Sequence, residues 1–336
     1  MTLRMIEMAL SENLSDDLRL ILEGYDYLDL WQEKTDDLRI HVTFVLPSEK
    51  TGEILDILEK RFSNTEGFRI ILIPVEASIP RLEVKKPENP QQSAEKKSVS
   101  KSIRKCREEL YEDAEITTRI SSVFIVLTIL SALVASFGIL RNNVVFIIGA
   151  MVIAPFLGPN VALSLATTLG DTALFRKAIR ALSVGVLTGG AFSFLLGLIL
   201  NVDPLAPELV LRTKVNLGDI VIALAAGSAA ALSFTTGLLS SLIGVMVAVA
   251  FLPPLVAMGM LIGSGHWEMA LGSLLLFSAN LICVNLSGMV TFIIQGIRPL
   301  RWWDAQKAKK ATRRAVFVWT LLLIILVILI LLSSKR

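Results

Sequence analysis

Long stretches without any charged residue dominate the chain after Arg119. A helix needs about 20 apolar residues to cross the ~30 Å hydrocarbon core of a bilayer. The charge-free runs are 120–140, 142–170, 181–202, 220–265, 269–297 and 315–334. The fourth run has 46 residues, which is enough for two crossings with a turn near "LSFTTGLLSS". The pattern predicts a multi-pass α-helical membrane protein with seven spans; the alternative loses one span by making 142–170 re-entrant.

The charges divide the chain into two parts. Residues 1–119 hold 24 of the 30 acidic and 18 of the 33 basic residues, whereas 120–336 hold 6 acidic and 15 basic ones. This division predicts a soluble domain followed by a membrane domain, and the N-terminus lacks the pattern of a signal peptide. The two cysteines, Cys106 and Cys283, lie one in each part and predict no disulfide framework. We expect no metal site, no cofactor and no nucleic-acid partner.

Basic residues in short loops predict the orientation of the spans. The loop 298–314 has seven basic residues and one acidic residue, and the loop before 181 carries Arg176, Lys177 and Arg180. Both loops are predicted to be cytoplasmic, and the loop 298–314 is expected to meet anionic lipid. With seven spans, the N-terminus is then in the cytoplasm and the C-terminus outside. The predicted location is the inner (plasma) membrane.

The soluble part, residues 1–84, is predicted to be a small α/β domain. Strand patterns at 38–47 and 68–77 flank an amphipathic helix pattern at 48–62, and strands joined through a helix are expected to pair in parallel. "LRMIEMAL" and "SDDLRLILEG" add a strand and a helix before this unit. A flexible linker at 85–100 and an amphipathic helix at 101–119 follow. The domain serves either assembly or docking, or the binding of a regulatory ligand.

A sequence repeat relates two of the predicted spans. "GAMVIAPFLGPNVA" and "GVMVAVAFLPPLVA" share eight residues at a single offset of 95 positions. Each repeat contains three spans, at 120–202 and 218–297, and the last span at 315–334 stands outside them. Because three is odd, the second repeat enters the membrane with the opposite orientation. The sequence thus predicts an inverted-topology repeat with a transport site at the interrupted spans.

Prolines near the middle of the repeated spans predict two broken helices. A proline removes a backbone N–H and displaces the carbonyl four residues earlier, so broken helices persist only where they face protein or water. Glycines there are expected to allow close backbone approach. The predicted transport pathway comprises Gly149, Pro155, Gly158, Pro159, Asn160, Gly244, Pro253, Pro254, Asn280 and Asn285. Ser164 is among the hydroxyl residues that can line it.

Alternatives stay open for each part of this pathway. The prolines can serve packing alone, and an Asn–Asn or Asn–carbonyl bond between helices satisfies an amide with no role in transport. Asp171 lies at the end of a span and is predicted to be a cap or a gate rather than a proton carrier. The membrane part has one histidine and few acids, so a catalytic set, and with it an enzyme, is not predicted.

The segment 149–171 and the stretch "PVEASIPR", with "PVE" at Pro74–Glu76, resemble a known family, and the resemblance covers roughly residues 38–300. "GAM-x-I-[AS]-P-x-x-GP" followed by "GD" is typical of the bacterial and archaeal membrane proteins catalogued as domain of unknown function 389. The matching residues are Gly149–Met151, Ile153–Pro155, Gly158–Pro159 and Gly170–Asp171. The resemblance implies a membrane protein and no particular activity. The order of spans is also similar, in architecture only, to trimeric intracellular cation channels, and this likeness implies a homo-oligomer, by analogy a trimer.

The sequence alone leaves two functions open. The first is a channel or transporter for a small ion or small polar solute, with its pathway between the second and fifth spans and with possible regulation by the N-terminal domain. The second is a non-transporting membrane scaffold or sensor whose cytoplasmic domain binds a ligand or partner. A hydrated cavity at Pro155 and Pro254 is expected for the first, and a packed interior there for the second.

Overall fold

A computed structural model divides the chain into two compact units, Met1–Glu109 and Leu110–Arg336. The structure describes residues 3–11, 14–22, 25, 27–35, 39–63, 65, 68–75, 107–237, 240–297, 316–325 and 327–328. The predicted linker at 85–100, the start of the predicted helix at 101–106 and the basic loop at 298–314 lie outside the described residues.

The described residues of the first unit form one four-stranded sheet and two helices before residue 107. Its elements are β1 (Leu3–Ser11), α1 (Ser15–Leu22), β2 (Leu30–Thr35), β3 (Arg39–Pro47), α2 (Ser48–Phe62) and β4 (Arg69–Val75). The strand order is β2-β3-β1-β4, and every neighbouring pair is antiparallel. A β-α-β-β-α-β chain with this order is a ferredoxin-like fold, in which each β-α-β unit is split by a strand of the other.

The predicted parallel pairing of β3 and β4 is wrong. The two strands are joined through α2 as expected, but β1 lies between them and pairs antiparallel with both. β1 can lie between them because its apolar residues alternate in the same way as those of β3. The connection through α2 makes β3 and β4 run in the same direction but does not require them to be neighbours in the sheet. The sequence pattern had also missed β2, a short strand at the edge of the sheet.

Alternating apolar residues place the core of the first unit on one face of the sheet. Ile6, Met8 and Leu10 of β1 are buried, and the alternate residues of β3 from Ile40 to Leu46 are buried on the same side. The helices supply the opposing layer, with Leu18, Leu22, Ile54, Leu58 and Phe62. The apolar residues that recur every second position in the strands therefore pack against those that recur every 3.6 positions in the helices, in a single apolar layer.

The second unit is helical. After α3 (Arg107–Thr117), whose first three residues belong to the first unit, it contains α4 (Ser122–Leu140), α5 (Val144–Ile153), α6 (Leu157–Leu169), α7 (Thr172–Ile199), α8 (Pro207–Val210), α9 (Leu217–Thr236), α10 (Ser240–Gly263), α11 (Trp267–Ile294) and α12 (Val316–Ile325). Among the described residues, α4, α7, α9 and α11 are long and apolar enough to cross a membrane, and the bent pair α5–α6 raises that count to 5 if it is one span.

Polar residues mark where the apolar helices begin. Ser121, Asn143 and Asp171 each accept a hydrogen bond from a backbone N–H in the first turn of α4, α5 and α7. α6 and α9 end at Gly170 and Gly237, whose positive φ angles of 67° and 69° favour glycine. The turn at Gly237 falls inside the predicted "LSFTTGLLSS" segment. Helix ends in this unit thus follow local sequence signals.

Candidate transport site at the proline-containing helices

The first proline-containing segment is broken. α5 ends at Ile153, and Ala154 has an extended backbone with φ −65° and ψ 123°. This conformation is expected for a residue that precedes a proline, because the Pro155 ring disfavours a helical Ala154. The chain resumes as α6 at Leu157, and the axes of α5 and α6 differ by 56°. Pro155 is half-buried at the break, whereas Phe156 next to it is 1% exposed.

The neighbouring residues have different roles from those predicted. Pro159 does not interrupt a helix, because it lies in the first turn of α6, where backbone N–H groups have no intrahelical acceptor. Gly158 allows close approach as expected, since a Cβ there would lie 2.5 Å from the Cβ of Thr117 at the end of α3. The same expectation is wrong for Gly149, where a Cβ would meet no atom within 4 Å.

The second proline-containing segment is not broken, which corrects the prediction of two broken helices. α10 runs without interruption from Ser240 to Gly263 and includes Gly244, Pro253 and Pro254. Both prolines are buried, and Phe251 beside them is 1% exposed. The Phe251 ring meets the ring of Phe277 of α11 edge to face, with centroids 5.9 Å apart.

A side-chain amide replaces the hydrogen bond that Pro254 removes. In a regular helix the carbonyl of Ala250 would accept from the N–H of residue 254, which proline lacks. The Nδ2 of Asn280 in α11 donates to this carbonyl oxygen at 2.6 Å. Asn280 is 5% exposed, so the bond is made inside the protein. Because the freed carbonyl finds a partner, α10 can continue as a helix through the proline pair.

The other two predicted asparagines meet between α6 and α11. Asn285 Nδ2 donates to Asn160 Oδ1 at 3.2 Å and to the Leu281 carbonyl at 2.9 Å. Asn160 Nδ2 donates to the Phe156 carbonyl at 2.8 Å, at the end of the break. Ser164 Oγ lies 3.1 Å from Asn285 Oδ1. The structure thus brings Asn160 and Asn285 together and places Asn280 separately, against α10.

A glycine allows α6 and α11 to approach at this point. A Cβ at Gly288 would lie 2.9 Å from Ser164 Oγ and 3.2 Å from Ser164 Cβ. Asn160, Ser164 and Asn285 are each at most 2% exposed. The contact between α6 and α11 therefore contains polar side chains that are shielded from solvent.

The contact between α7 and α10 is related to the previous one by the repeat offset of 95 positions. The residues 95 positions after Asn160 and Ser164 are Leu255 and Gly259, and those 95 positions before Asn285 and Gly288 are Gly190 and Ser193. A Cβ at Gly190 would lie 3.6 Å from Leu255 Cδ1, and a Cβ at Gly259 would lie 2.7 Å from Ser193 Cβ. Corresponding residues thus touch in both contacts. The first contact has its serine on α6 and its glycine on α11, whereas the second has its glycine on α10, the counterpart of α6, and its serine on α7.

Asp171 lies at the N-terminal end of α7. Asp171 accepts hydrogen bonds from the N–H groups of Ala173 and Leu174 at the start of α7, at 2.7 and 3.0 Å, and from Tyr111 Oη of α3 at 3.0 Å. Burial, this hydrogen bond and the negative charge of Asp171 raise the pKa of Tyr111 to about 12. Asp171 is therefore a helix cap in this structure.

The helix-packing residues were the part of the site that the sequence analysis missed. Gly190, Ser193 and Gly259 were not singled out, although small residues recur four apart at Gly189, Ser193 and Gly197 and again at Gly259 and Gly263. Such spacing is typical of closely packed membrane helices and was the signal that could have found them. Among the described residues, no group of three or more His, Cys, Asp or Glu side chains could hold a metal ion.

The fold defines a class of protein. The chain has a largely helical unit with apolar helices of membrane-crossing length and a separate unit with a small antiparallel sheet, and the apolar helices are compatible with a membrane protein. The family model described as domain of unknown function (DUF389) matches residues 151–286, which include the Pro155 break, α10 and most of α11. An uncharacterized protein of Methanocaldococcus jannaschii is 34% identical over 294 residues, covering 87% of this chain and 88% of that protein. The chain belongs to the DUF389 family. No solved structure matches it.

Proposed function

We propose that this protein is a membrane channel or transporter for a small ion or small polar solute, built from two inverted repeats of three spans. The observation that carries the proposal is the pair of related contacts, α6 with α11 and α10 with α7. In each contact the second span of one repeat packs against the third span of the other. Packing of each second span against the third span of the other repeat is expected when two repeats are related by a two-fold axis in the membrane plane.

The buried polar groups support a pathway along these contacts. Interrupted helices and unpaired carbonyls at membrane depth are tolerated where they line a cavity or are buried in protein. The break at Pro155, the Asn280 amide at the Ala250 carbonyl and the Asn160–Asn285 pair all lie on the exchanged helices. A route lined by amides, hydroxyls and carbonyls suits a small ion or a neutral polar solute.

The membrane arrangement belongs to the same proposal. The seven spans comprise α4, the α5–α6 pair, α7, α9, α10, α11 and a last span that includes α12. The N-terminal domain is in the cytoplasm, the C-terminus is outside, and the protein assembles in the lipid bilayer as a homo-oligomer, by analogy a trimer. We propose no catalytic activity, no cofactor and no nucleic-acid partner. The ferredoxin-like domain regulates transport.

A non-transporting scaffold or sensor is the second candidate, and one observation favours it. The side chains beside both proline positions are tightly packed, with Phe156 and Phe251 each 1% exposed and Leu252 and Leu255 each 0% exposed. A scaffold needs no opening there. A closed channel has the same packing, so a measurement of flux must separate the two.

Flux of ions and small solutes into liposomes that contain the purified protein tests the proposal. We expect flux with the parent protein and altered flux with the double variant Pro155→Ala/Pro254→Ala, because the variant removes the cause of the break after α5 and restores an N–H for the Ala250 carbonyl. Gly218→Ala in the first turn of α9 is the matched control, because its new methyl group meets no neighbour and Gly218 is not a predicted pathway residue. Unchanged flux in the double variant, or absence of flux for every common ion and solute with and without ligands of the N-terminal domain, would favour the scaffold.

A further inference from the structure

The ferredoxin-like sheet has exposed apolar residues on the face that lies away from α1 and α2. Side chains alternate along a strand, so the residues between those of the core lie on this second face, called here the open sheet face. Trp31 of β2 and Ile71 of β4 belong to it and are 50% and 46% exposed. Its charged residues include Glu7 and His41, whose Oε1 and Nδ1 atoms are 3.7 Å apart.

Strand pairing arranges the open sheet face in three rows, each crossing the strands in the order β2, β3, β1 and β4. The first row has a charged residue at each edge and consists of Glu33, His41, Ala9 and Arg69. The second row has an apolar residue at each edge and consists of Trp31, Thr43, Glu7 and Ile71. The third row is apolar on the last three strands, with Val45, Met5 and Ile73.

These rows are complementary to a second copy of themselves. Two sheets packed face to face keep their strands roughly aligned, about 10 Å apart. When a two-fold axis runs parallel to the strands between β3 and β1, β2 of one copy faces β4 of the other, and each row faces the same row. Glu33 then faces Arg69 of the second copy, and Trp31 faces Ile71. Opposite charges and apolar groups therefore meet their complements, and each contact occurs twice.

The other two-fold arrangement of the two faces does not match in this way. With the axis perpendicular to the strands, the first row of one copy faces the third row of the other. His41 and Arg69 would then lie against Val45 and Ile73, and charged groups would lose water without gaining partners. The charge pattern thus selects one of the two arrangements.

We propose that the open sheet face binds the open sheet face of a second copy of this chain, about the two-fold axis parallel to the strands. The same patch serves both copies, as in other two-fold interfaces. This inference goes beyond the proposed transport function and does not rest on it. Because the contact joins copies in pairs, it requires an even number of copies. A single trimer would leave one sheet unpaired, whereas two trimers joined through their sheets would not.

The mass of the purified full-length protein in detergent, measured by light scattering over a range of concentrations, tests this pairing. We expect an even number of copies for the parent and half that number for Trp31→Glu, because the new carboxylate would be buried against Ile71 of the second copy. Leu20→Glu is the matched control, since Leu20 is 68% exposed on α1, in the layer on the other side of the sheet. It should keep the parent mass.

Charge reversal tests the arrangement of the two copies. Glu33→Arg and Arg69→Glu should each weaken the pairing about ten-fold, because each change puts like charges opposite each other at two places. The double variant Glu33→Arg/Arg69→Glu restores opposite charges across the interface and should recover the parent mass. Both residues are exposed, so their replacement leaves the core of the sheet unchanged.

Several results would overturn the pairing. They are an odd number of copies in the parent, a mass that Trp31→Glu leaves unchanged, an equal loss in Leu20→Glu, and no recovery in the double charge reversal. An odd number would assign the open sheet face to a partner other than a second copy. Paired sheets without flux in liposomes would contradict only the transport proposal, and flux with unpaired sheets would contradict only the pairing.

Discussion

At the scale of single residues, Asn280 supplies the hydrogen-bond donor that Pro254 removes from α10. Pro254 leaves the Ala250 carbonyl without its helical partner, and Asn280 Nδ2 supplies a substitute at 2.6 Å. A buried asparagine on a membrane helix would otherwise be unfavourable, and so would a buried unpaired carbonyl. Asn280 and the Ala250 carbonyl are 30 residues apart in the sequence and become one hydrogen-bonded pair only because α10 and α11 pack together.

This pairing predicts a specific coupling between the two positions. Asn280→Leu should destabilise the protein by about 1–2 kcal/mol, because it leaves the Ala250 carbonyl buried without a partner. In a Pro254→Ala background residue 254 has an N–H for that carbonyl, so the same change should cost clearly less. Unfolding of the four proteins in a double-mutant cycle measures the difference. Additive effects would contradict the pairing, and Asn285→Leu, which touches another helix, serves as the control.

Tyr111 provides a pH-dependent prediction at the same scale. The neutral phenol donates to Asp171, and the raised pKa of Tyr111 means that folding favours this neutral form. The stabilisation is therefore complete below the ordinary tyrosine pKa of about 10 and is lost as the pH rises toward about 12. Tyr111→Phe should lower the unfolding temperature near neutral pH, and the gap to the parent should close at high pH. A gap that is independent of pH would contradict this account; Tyr27→Phe, at a 40% exposed tyrosine, is the control.

At the scale of helices, small residues determine how closely α7 and α10 approach. A Cβ at Gly259 would lie 2.7 Å from Ser193 Cβ and 2.8 Å from the Gly190 carbonyl oxygen. Both neighbours belong to α7, and one of them is backbone, which cannot turn away as a flexible side chain can. The helix pair is thus held at a separation that only a glycine at position 259 permits.

Two alanine substitutions in this helix pair should differ sharply. Gly259→Ala should destabilise the protein by about 1–3 kcal/mol, as is typical when a methyl group is added to a filled contact. Gly190→Ala on the facing helix should be tolerated, since its Cβ would be 3.6 Å from Leu255 Cδ1, an ordinary contact distance. Thermal unfolding in detergent compares the two variants. Equal effects would mean that α7 and α10 are not packed as described.

At the scale of the whole molecule, the proposed topology depends on which side of the membrane each end of α7 faces. Arg180 is exposed near the N-terminal end of this helix, and Asp203 is exposed just beyond its C-terminal end. The positive-inside rule assigns the Arg180 end to the cytoplasm. The same assignment places the N-terminal domain in the cytoplasm if α4 and the α5–α6 pair each cross once.

Labelling with a membrane-impermeant maleimide tests this topology. In a Cys106→Ser background, Asp203→Cys should react in intact cells, and Arg180→Cys should react only after the membrane is permeabilised. The remaining Cys283 is 0% exposed in α11 and should stay unlabelled. Reaction of both introduced cysteines from outside would exclude α7 as a span, and the reverse pattern would invert the orientation.

The sequence by itself determined the features that depend on neighbours along the chain. Apolar runs set the helices, Ser121, Asn143 and Asp171 set where three of them begin, and Pro155 set the break through its effect on Ala154. Alternating apolar residues set three of the four strands. These features follow from hydropathy and from interactions within about one turn, which a local pattern contains.

Only the tertiary structure decided which of these parts are partners. β1 lies between β3 and β4, and Asn285 pairs with Asn160 although 125 residues separate them. Pro254 should have interrupted α10 by local rules, yet the helix continues because Asn280 of another helix replaces the missing donor. A local pattern identifies a group that needs a hydrogen bond or an apolar cover. Which group supplies it depends on how distant segments pack, because several arrangements satisfy the same local preferences until the whole chain is folded.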